Sequence, residues 1–188
     1  MQTIKLNNGV EMPILGFGVY QIADQAMEDA YEAGKVRALG VSNFYPDRLI
    51  DLVRFNNIVP AVNQVETHPF QQQKVAHEIM KKYGVQHESW GPFAEGRKDM
   101  FSTPAIKAIA DRCGKSAAQI ILRFLIQSDI VVIPKSTHRE RMAQNIDVFD
   151  FSLNGEDMKA IASLDTGESA FFSHYDPATV EFLTGLGK

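Results

Sequence analysis

Four short apolar runs, residues 36–41, 61–66, 85–90 and 130–133, recur along the chain with segments of helical periodicity between them. Strands that alternate with helices at about 30 residues per unit predict βαβ units, which wind right-handed into a parallel sheet. This alternation restricts the fold more than any other feature. Helices are expected at 46–56, with Pro46 in the first turn, and at 72–83, with Gly84 as the C-terminal cap. Further helices are expected at 103–113, 116–127, 139–145 and 155–164. The 116–127 segment places Ala117, Ile120, Ile121, Phe124 and Leu125 on one face. Ahead of the alternation, residues 3–6 and 10–14 read as a hairpin about Asn7-Asn8-Gly9, and Gly16 and Gly18 bracket Phe17 in tight packing. Residues 166–188 show no regular pattern.

A closed eight-unit barrel takes about 250 residues, so 188 residues with four units supply only part of one. The chain is 45% hydrophobic and 22% charged, which is enough apolar material for a packed core. A net charge of −4 argues against a nucleic-acid binder. A single cysteine, Cys113, excludes an internal disulfide and a cysteine-rich zinc site. No apolar run reaches the ~20 residues of a membrane span, and residues 1–10 do not resemble a secretory signal. The expectation is a cytoplasmic protein without membrane or nucleic-acid partners.

Barrel enzymes place their chemistry at the C-terminal ends of their strands. Here those ends carry Ser42-Asn43, then Asn63, Gln64, Glu66 and His68, then Glu88-Ser89-Trp90-Gly91-Pro92-Phe93, then Lys135-Ser136-Thr137 with Arg139 and Arg141. Each alone has an ordinary explanation. Ser42-Asn43 suits a helix cap, Gln64 a satisfied amide, Trp90 a core aromatic, Lys135 and Arg141 a solvated surface, and His68 before Pro69 a loop. Together they would ring one mouth of the sheet. An amide-bearing ligand would bond to Ser42, Asn43 and Gln64, and a flat ring would stack on Trp90. A phosphate would meet Lys135, Ser136 and Arg141 beside a helix N-terminus. These are the needs of a nicotinamide dinucleotide with an extra phosphate. No Gly-x-Gly-x-x-Gly fingerprint supports a Rossmann site instead.

The chain resembles the aldo-keto reductases, most closely members similar to prostaglandin F synthase. The resemblance rests on Leu6-Asn7-Asn8-Gly9-Val10-Glu11-Met12-Pro13 with Gly16-Phe17-Gly18, on residues 34–44 ending Gly40-Val41-Ser42-Asn43-Phe44, on Asn63-Gln64-Val65-Glu66 with His68-Pro69, and on Ile133-Pro134-Lys135-Ser136 with Arg139, Arg141 and Asn145. It implies an α/β fold of the (β/α)8 TIM-barrel type, with the N-terminal hairpin and about the last four βα units present. Residues 1–188 would be a single partial barrel domain, with 1–25 the hairpin region and 26–188 the second half of the barrel and the C-terminal tail. It further implies an NADP(H)-dependent oxidoreductase that reduces an aldehyde or ketone to an alcohol by hydride transfer. Ser42, Asn43 and Gln64 would hold the nicotinamide carboxamide and Trp90 would stack on the nicotinamide. Gly91, Pro92 and Phe93 would follow the pyrophosphate. Lys135, Ser136, Thr137 and Arg141 would take the 2′-phosphate, and Gln144 and Asn145 the adenine.

The family's Asp, Tyr, Lys and His tetrad belongs to the first four units, which have no counterpart between the hairpin and the helical stretch at 26–35. The family's Asp and Tyr are five residues apart. Five positions before Tyr20, Tyr31, Tyr45, Tyr83 and Tyr175 stand Leu15, Ala26, Gly40, Glu78 and Ala170. No catalytic residue is therefore assigned. The alternative expectation is a silent NADP(H)-binding relative or a truncated scaffold. An open sheet would also expose residues 36–41 and 130–133 as edges, which favours self-association.

Overall fold

The computed structural model describes residues 3–13, 31–35, 37–173 and 175–185. Strands β1 (Thr3–Lys5) and β2 (Glu11–Pro13) form the expected antiparallel hairpin, with Ile4 opposite Met12. Gly9, at φ +83°, adopts the left-handed conformation the turn requires, and Val10 N–H donates to Asn8 Oδ1 at 3.1 Å. The expected Gly16–Phe17–Gly18 packing and the start of the helical stretch at 26–35 lie outside the described residues.

The alternation yields a four-stranded parallel sheet in the order β3 (Gly40–Ser42), β4 (Val62–Glu66), β5 (Gln86–Trp90) and β6 (Val131–Val132). Between and after these strands run α1 (Pro46–Phe55), α2 (Lys74–Tyr83), α3 (Pro104–Cys113), α4 (Ala117–Gln127), α5 (Arg139–Ile146) and α6 (Gly155–Ala162). Each expected helix is present within two residues of its expected ends. Two strands are shorter than expected. Among the described residues of the run at 36–41 the ladder starts at Gly40, and the run at 130–133 pairs through Val131 and Val132. Apolar residues outside a ladder read the same as strand residues in the sequence. The tail holds a further helix, α7 (Pro177–Gly185), that no periodicity announced.

Local signals explain the boundaries. Gly84 caps α2 at φ +68°, where a side chain would be strained. Ser116 and Gln119 close a capping box at the start of α4: Gln119 N–H donates to Ser116 Oγ and Ser116 N–H to Gln119 Oε1. Asn154 and Asp157 do the same for α6.

Helices cover one face of the sheet. Leu49 of α1, Ala76 and Met80 of α2, Val65 of β4 and Val85 form one buried cluster. Ile106 and Ile109 of α3 and Ile120, Ile121, Phe124 and Leu125 of α4, with Val132, Val148 and Ile161, form a larger one. Each such Leu, Ile, Val, Phe or Met side chain contributes about 1.5–3 kcal/mol when fully buried. The other face carries Ser42, Gln64, Gln86, Glu88 and Trp90, which are half-buried or exposed. The sheet is therefore anchored on one side and leaves a polar row on the other. No described helix is long and apolar enough to cross a membrane.

Candidate functional site

The parallel register brings the expected carboxamide residues together. Ser42 pairs with Gln64, Gln64 with Glu88, and Glu66 with Trp90. Ser42 Oγ donates to the Gln64 carbonyl at 3.1 Å and accepts from Asn43 Nδ2 at 3.2 Å. Asn43 Oδ1 in turn accepts from the Trp90 indole N–H at 2.8 Å. Asn43 sits at φ +57°, a left-handed conformation that asparagine tolerates better than most residues. Its backbone N–H continues the ladder to the Gln64 carbonyl at 2.9 Å. One chain of bonds thus links the ends of β3, β4 and β5.

A buried asparagine holds this loop in place. Asn63 Nδ2 donates to the Phe44 carbonyl at 2.7 Å, and Phe44 N–H donates to Asn63 Oδ1 at 3.3 Å. Asn63 is on the helix-covered face, beside the site but not in it. Gln64 Nε2 donates to Glu88 Oε1 at 2.6 Å. Burial raises the Glu88 carboxyl above its ordinary value, and the Gln64 bond opposes that shift. Sequence reasoning gave neither Asn63 nor Glu88 a role, because both act across strands whose register only the structure provides.

The tail completes this end. Buried Glu66 accepts from Ser169 Oγ and from the Ala170 N–H at 2.7 Å, and its Oε1 lies 2.9 Å from His68 Nε2. Burial raises the Glu66 carboxyl, but bonds from His68, Ser169 and Ala170 outweigh it and leave the group below its ordinary value. His68 is fully buried and also accepts from the Phe70 N–H at 3.3 Å, so it shapes the turn after β4. Anchored in this way, the tail sets the Phe171 ring 5.1 Å from Trp90 and the Phe172 ring 6.2 Å from it, nearly parallel. Tyr175 lies 4.2 Å from Tyr45. The tail aromatics thus pack around the residues at the mouth.

Beyond Trp90 the chain turns sharply. Gly91 lies at φ +60°, where an added Cβ would meet the Phe171 ring at 3.4 Å. Pro92 is buried and Phe93 half-buried against Phe101, with ring centres 5.6 Å apart. The phosphate-end residues are arranged differently. Lys135, Thr137 and Arg141 are exposed where β6 leads into α5. Ser136 Oγ accepts from the His138 N–H at 3.1 Å. On α5, Gln144 is exposed while Asn145 is buried, so one turn of helix presents the two expected adenine residues differently.

This donor set fits a nicotinamide dinucleotide phosphate: hydroxyl and amide groups near an indole at one end, and two exposed cations beside a helix start at the other. A cavity of about 280 Å³ lies away from these groups, at the opposite end of the strands, lined by Leu6, His77, Lys81, Val85 and His87 among others. Among the described residues no cluster of three or more metal-ligating side chains occurs.

Known proteins resemble this chain over most of its length. Residues 19–166 match the aldo/keto reductase family. An aldo-keto reductase of Mycolicibacterium smegmatis is 43% identical over 151 residues, covering 80% of this chain and 53% of the relative. The methylglyoxal reductase DkgA of Escherichia coli is 37% identical over 156 residues, covering 83% of this chain and 57% of the relative. The chain thus spans about half the length of the curated relatives it matches. Among solved structures, MGS-M4, an aldo-keto reductase from a deep-sea metagenome library, superposes with a TM-score of 0.86 at 29% identity, covering 94% of this chain and 99% of that one. A Gox0644 variant solved in complex with NADPH superposes with a TM-score of 0.74 at 36% identity, covering 79% of this chain and 54% of that one. The chain belongs to the aldo/keto reductase family.

Proposed function

We propose that this chain binds NADP(H) at the C-terminal ends of β3 to β6 and serves the reduction of a small aldehyde or ketone. The bonded cluster of Ser42, Asn43, Gln64 and Trp90 carries the reading. It gathers donors and acceptors for a carboxamide beside an aromatic surface, at the end of a parallel sheet where such ligands sit. Lys135 and Arg141, with Ser136 and Thr137, take the 2′-phosphate, and the start of α5 adds its dipole. Gly91, Pro92 and Phe93 follow the pyrophosphate, while Gln144 and Asn145 border the adenine. NADP(H), when bound, supplies the hydride; the residues of this chain bind and orient it. Relatives named as methylglyoxal and glyoxal reductases make small dicarbonyls the natural probes. The sheet itself is read as an arc of a (β/α)8 barrel, in a single domain of a cytoplasmic protein. Its outer strands β3 and β6 are the edges through which two copies would associate.

A second reading, binding without turnover, has its own observation. Hydride transfer needs a proton for the carbonyl oxygen, and a phenol serves at neutral pH only when its pKa is lowered. Tyr175, at the mouth, is shifted the other way: burial, then Asp47 and Tyr45, raise it. No Asp stands five residues before any tyrosine.

Titration of the chain and of its Lys135→Ala and Arg141→Ala variants with NADPH and NADH tests the binding site. Both variants should weaken NADPH far more than NADH. Equal losses for the two cofactors would remove the phosphate assignment. Methylglyoxal added to the NADPH complex separates the readings: loss of NADPH absorbance marks turnover, and an unchanged complex marks binding alone.

A further inference from the structure

Ser42, Gln64 and Glu88 occupy one row across β3, β4 and β5. Glu88 is a carboxylate with no cation beside it in that row. Val131 pairs with it on the β6 side, and Gln86 and Trp90 flank it along the same face of β5. The nearest acid on that face, Glu66, is engaged by His68, Ser169 and Ala170. The side-chain bond of Glu88 is to Gln64, the residue assigned to the cofactor carboxamide.

A primary amide has two unlike ends: its NH2 donates and its oxygen accepts. An ionised carboxylate only accepts. Glu88 can therefore face only the NH2 end of Gln64, and the bond runs from Nε2 to Oε1 at 2.6 Å. The amide oxygen is turned away from Glu88 as a result. Without the carboxylate, the amide could turn over about its last torsion, which is broad and nearly two-fold.

We propose that Glu88 sets the polarity of Gln64, so that Gln64 offers its oxygen as acceptor to the NH2 of the nicotinamide carboxamide. The inference rests on the cofactor reading above. It makes Glu88 a positioning residue, acting through Gln64. A protonated Glu88 would donate to the Gln64 oxygen and turn the NH2 outward, setting donor against donor at the ligand. Because burial raises the Glu88 carboxyl, this reversal begins at a higher pH than an exposed carboxylate would allow.

The test compares NADP+ with its 3-acetylpyridine analogue, whose methyl ketone keeps the carbonyl but has no NH2. At about pH 8 the chain should prefer NADP+ by roughly tenfold, the effect of one well-made hydrogen bond. At about pH 5, nearer the range where a raised carboxyl titrates, that preference should shrink. Glu88→Gln, which can face Gln64 in either sense, should show a ratio near one at both pH values. A ratio that is unchanged by pH in the native chain, or that survives Glu88→Gln, would overturn the inference. If NADP+ binds and depends on Lys135 and Arg141 but no preference exists, the polarity inference alone fails. If neither cofactor binds, the cofactor reading fails and takes this inference with it.

Discussion

The two ends of the proposed cofactor site are built differently. At the β3–β5 end, Ser42, Asn43, Gln64 and Trp90 are tied to one another and braced by Asn63, Glu88 and the tail. At the β6–α5 end, Lys135, Thr137 and Arg141 stand in solvent, beside a turn in which Ser136 Oγ accepts from the His138 N–H. The first end needs orientation, because a planar carboxamide is recognised by directional bonds. The second needs charge, because a phosphate is attracted from many directions and flexible cations suffice. A pre-ordered amide pocket and an exposed basic rim follow from those unlike demands.

The largest expected difference is under acid. His77 of α2 and His87 of β5 meet at 3.0 Å between their Nδ1 atoms, and His87 Nε2 lies 2.7 Å from Thr67 Oγ1. Burial, then His77, pushes His87 down to about 3, and burial lowers His77 as well. A folded value below the unfolded value of about 6.5 means this part of the stability is complete above pH 6.5 and is lost as pH falls toward 3. At about 1.4 kcal/mol per unit the loss amounts to several kcal/mol. Thermal melts of the native chain should fall steeply across that window, and His87→Gln should flatten the slope. A melting temperature that is level from pH 7 to pH 4 would contradict the pairing.

Next comes the rim. Lys135→Ala with Arg141→Ala should weaken NADPH by about ten- to a hundredfold and leave the melting temperature unchanged, since both side chains are exposed. Asn63→Ala should lower stability and not distinguish the two cofactors. It strips both bonds from Phe44 and should cost about 1–3 kcal/mol of stability, with NADPH and NADH weakened alike because the loop they share is loosened. Calorimetry on the two variants would sharpen or erase the contrast. The smallest effect belongs to Trp90→Phe, which keeps an aromatic ring but loses the bond to Asn43. About 0.5–1.5 kcal/mol is expected, with binding weaker than native but stronger than in Trp90→Ala. If the phenylalanine variant binds no better than the alanine one, stacking is the wrong role for Trp90.

The same contrast governs what the sequence discloses. The hairpin and the strand–helix alternation are local patterns, and β4, β5 and all six expected helices follow from them. Ser42, Asn43 and Gln64 stand at strand ends in the sequence, so their meeting is legible once the strands are parallel. The bracing is not. Asn63 reads as one more polar residue until the Phe44 backbone is beside it, and Glu88 reads as one more polar group at a strand end until its register with Gln64 is known. The tail is the least legible part, because Ser169 and Ala170 reach Glu66 across more than 100 residues and no local period marks such a contact. The short β6 ladder shows the converse, for a buried apolar run need not be paired throughout.

The claim that the sheet ends form a cofactor site is tested most directly by titrating the native chain with NADPH while following the fluorescence of Trp90, the sole tryptophan. Saturable quenching, weaker with NADH, is the expected result. A linear, unsaturable response, the same for both cofactors, would contradict it.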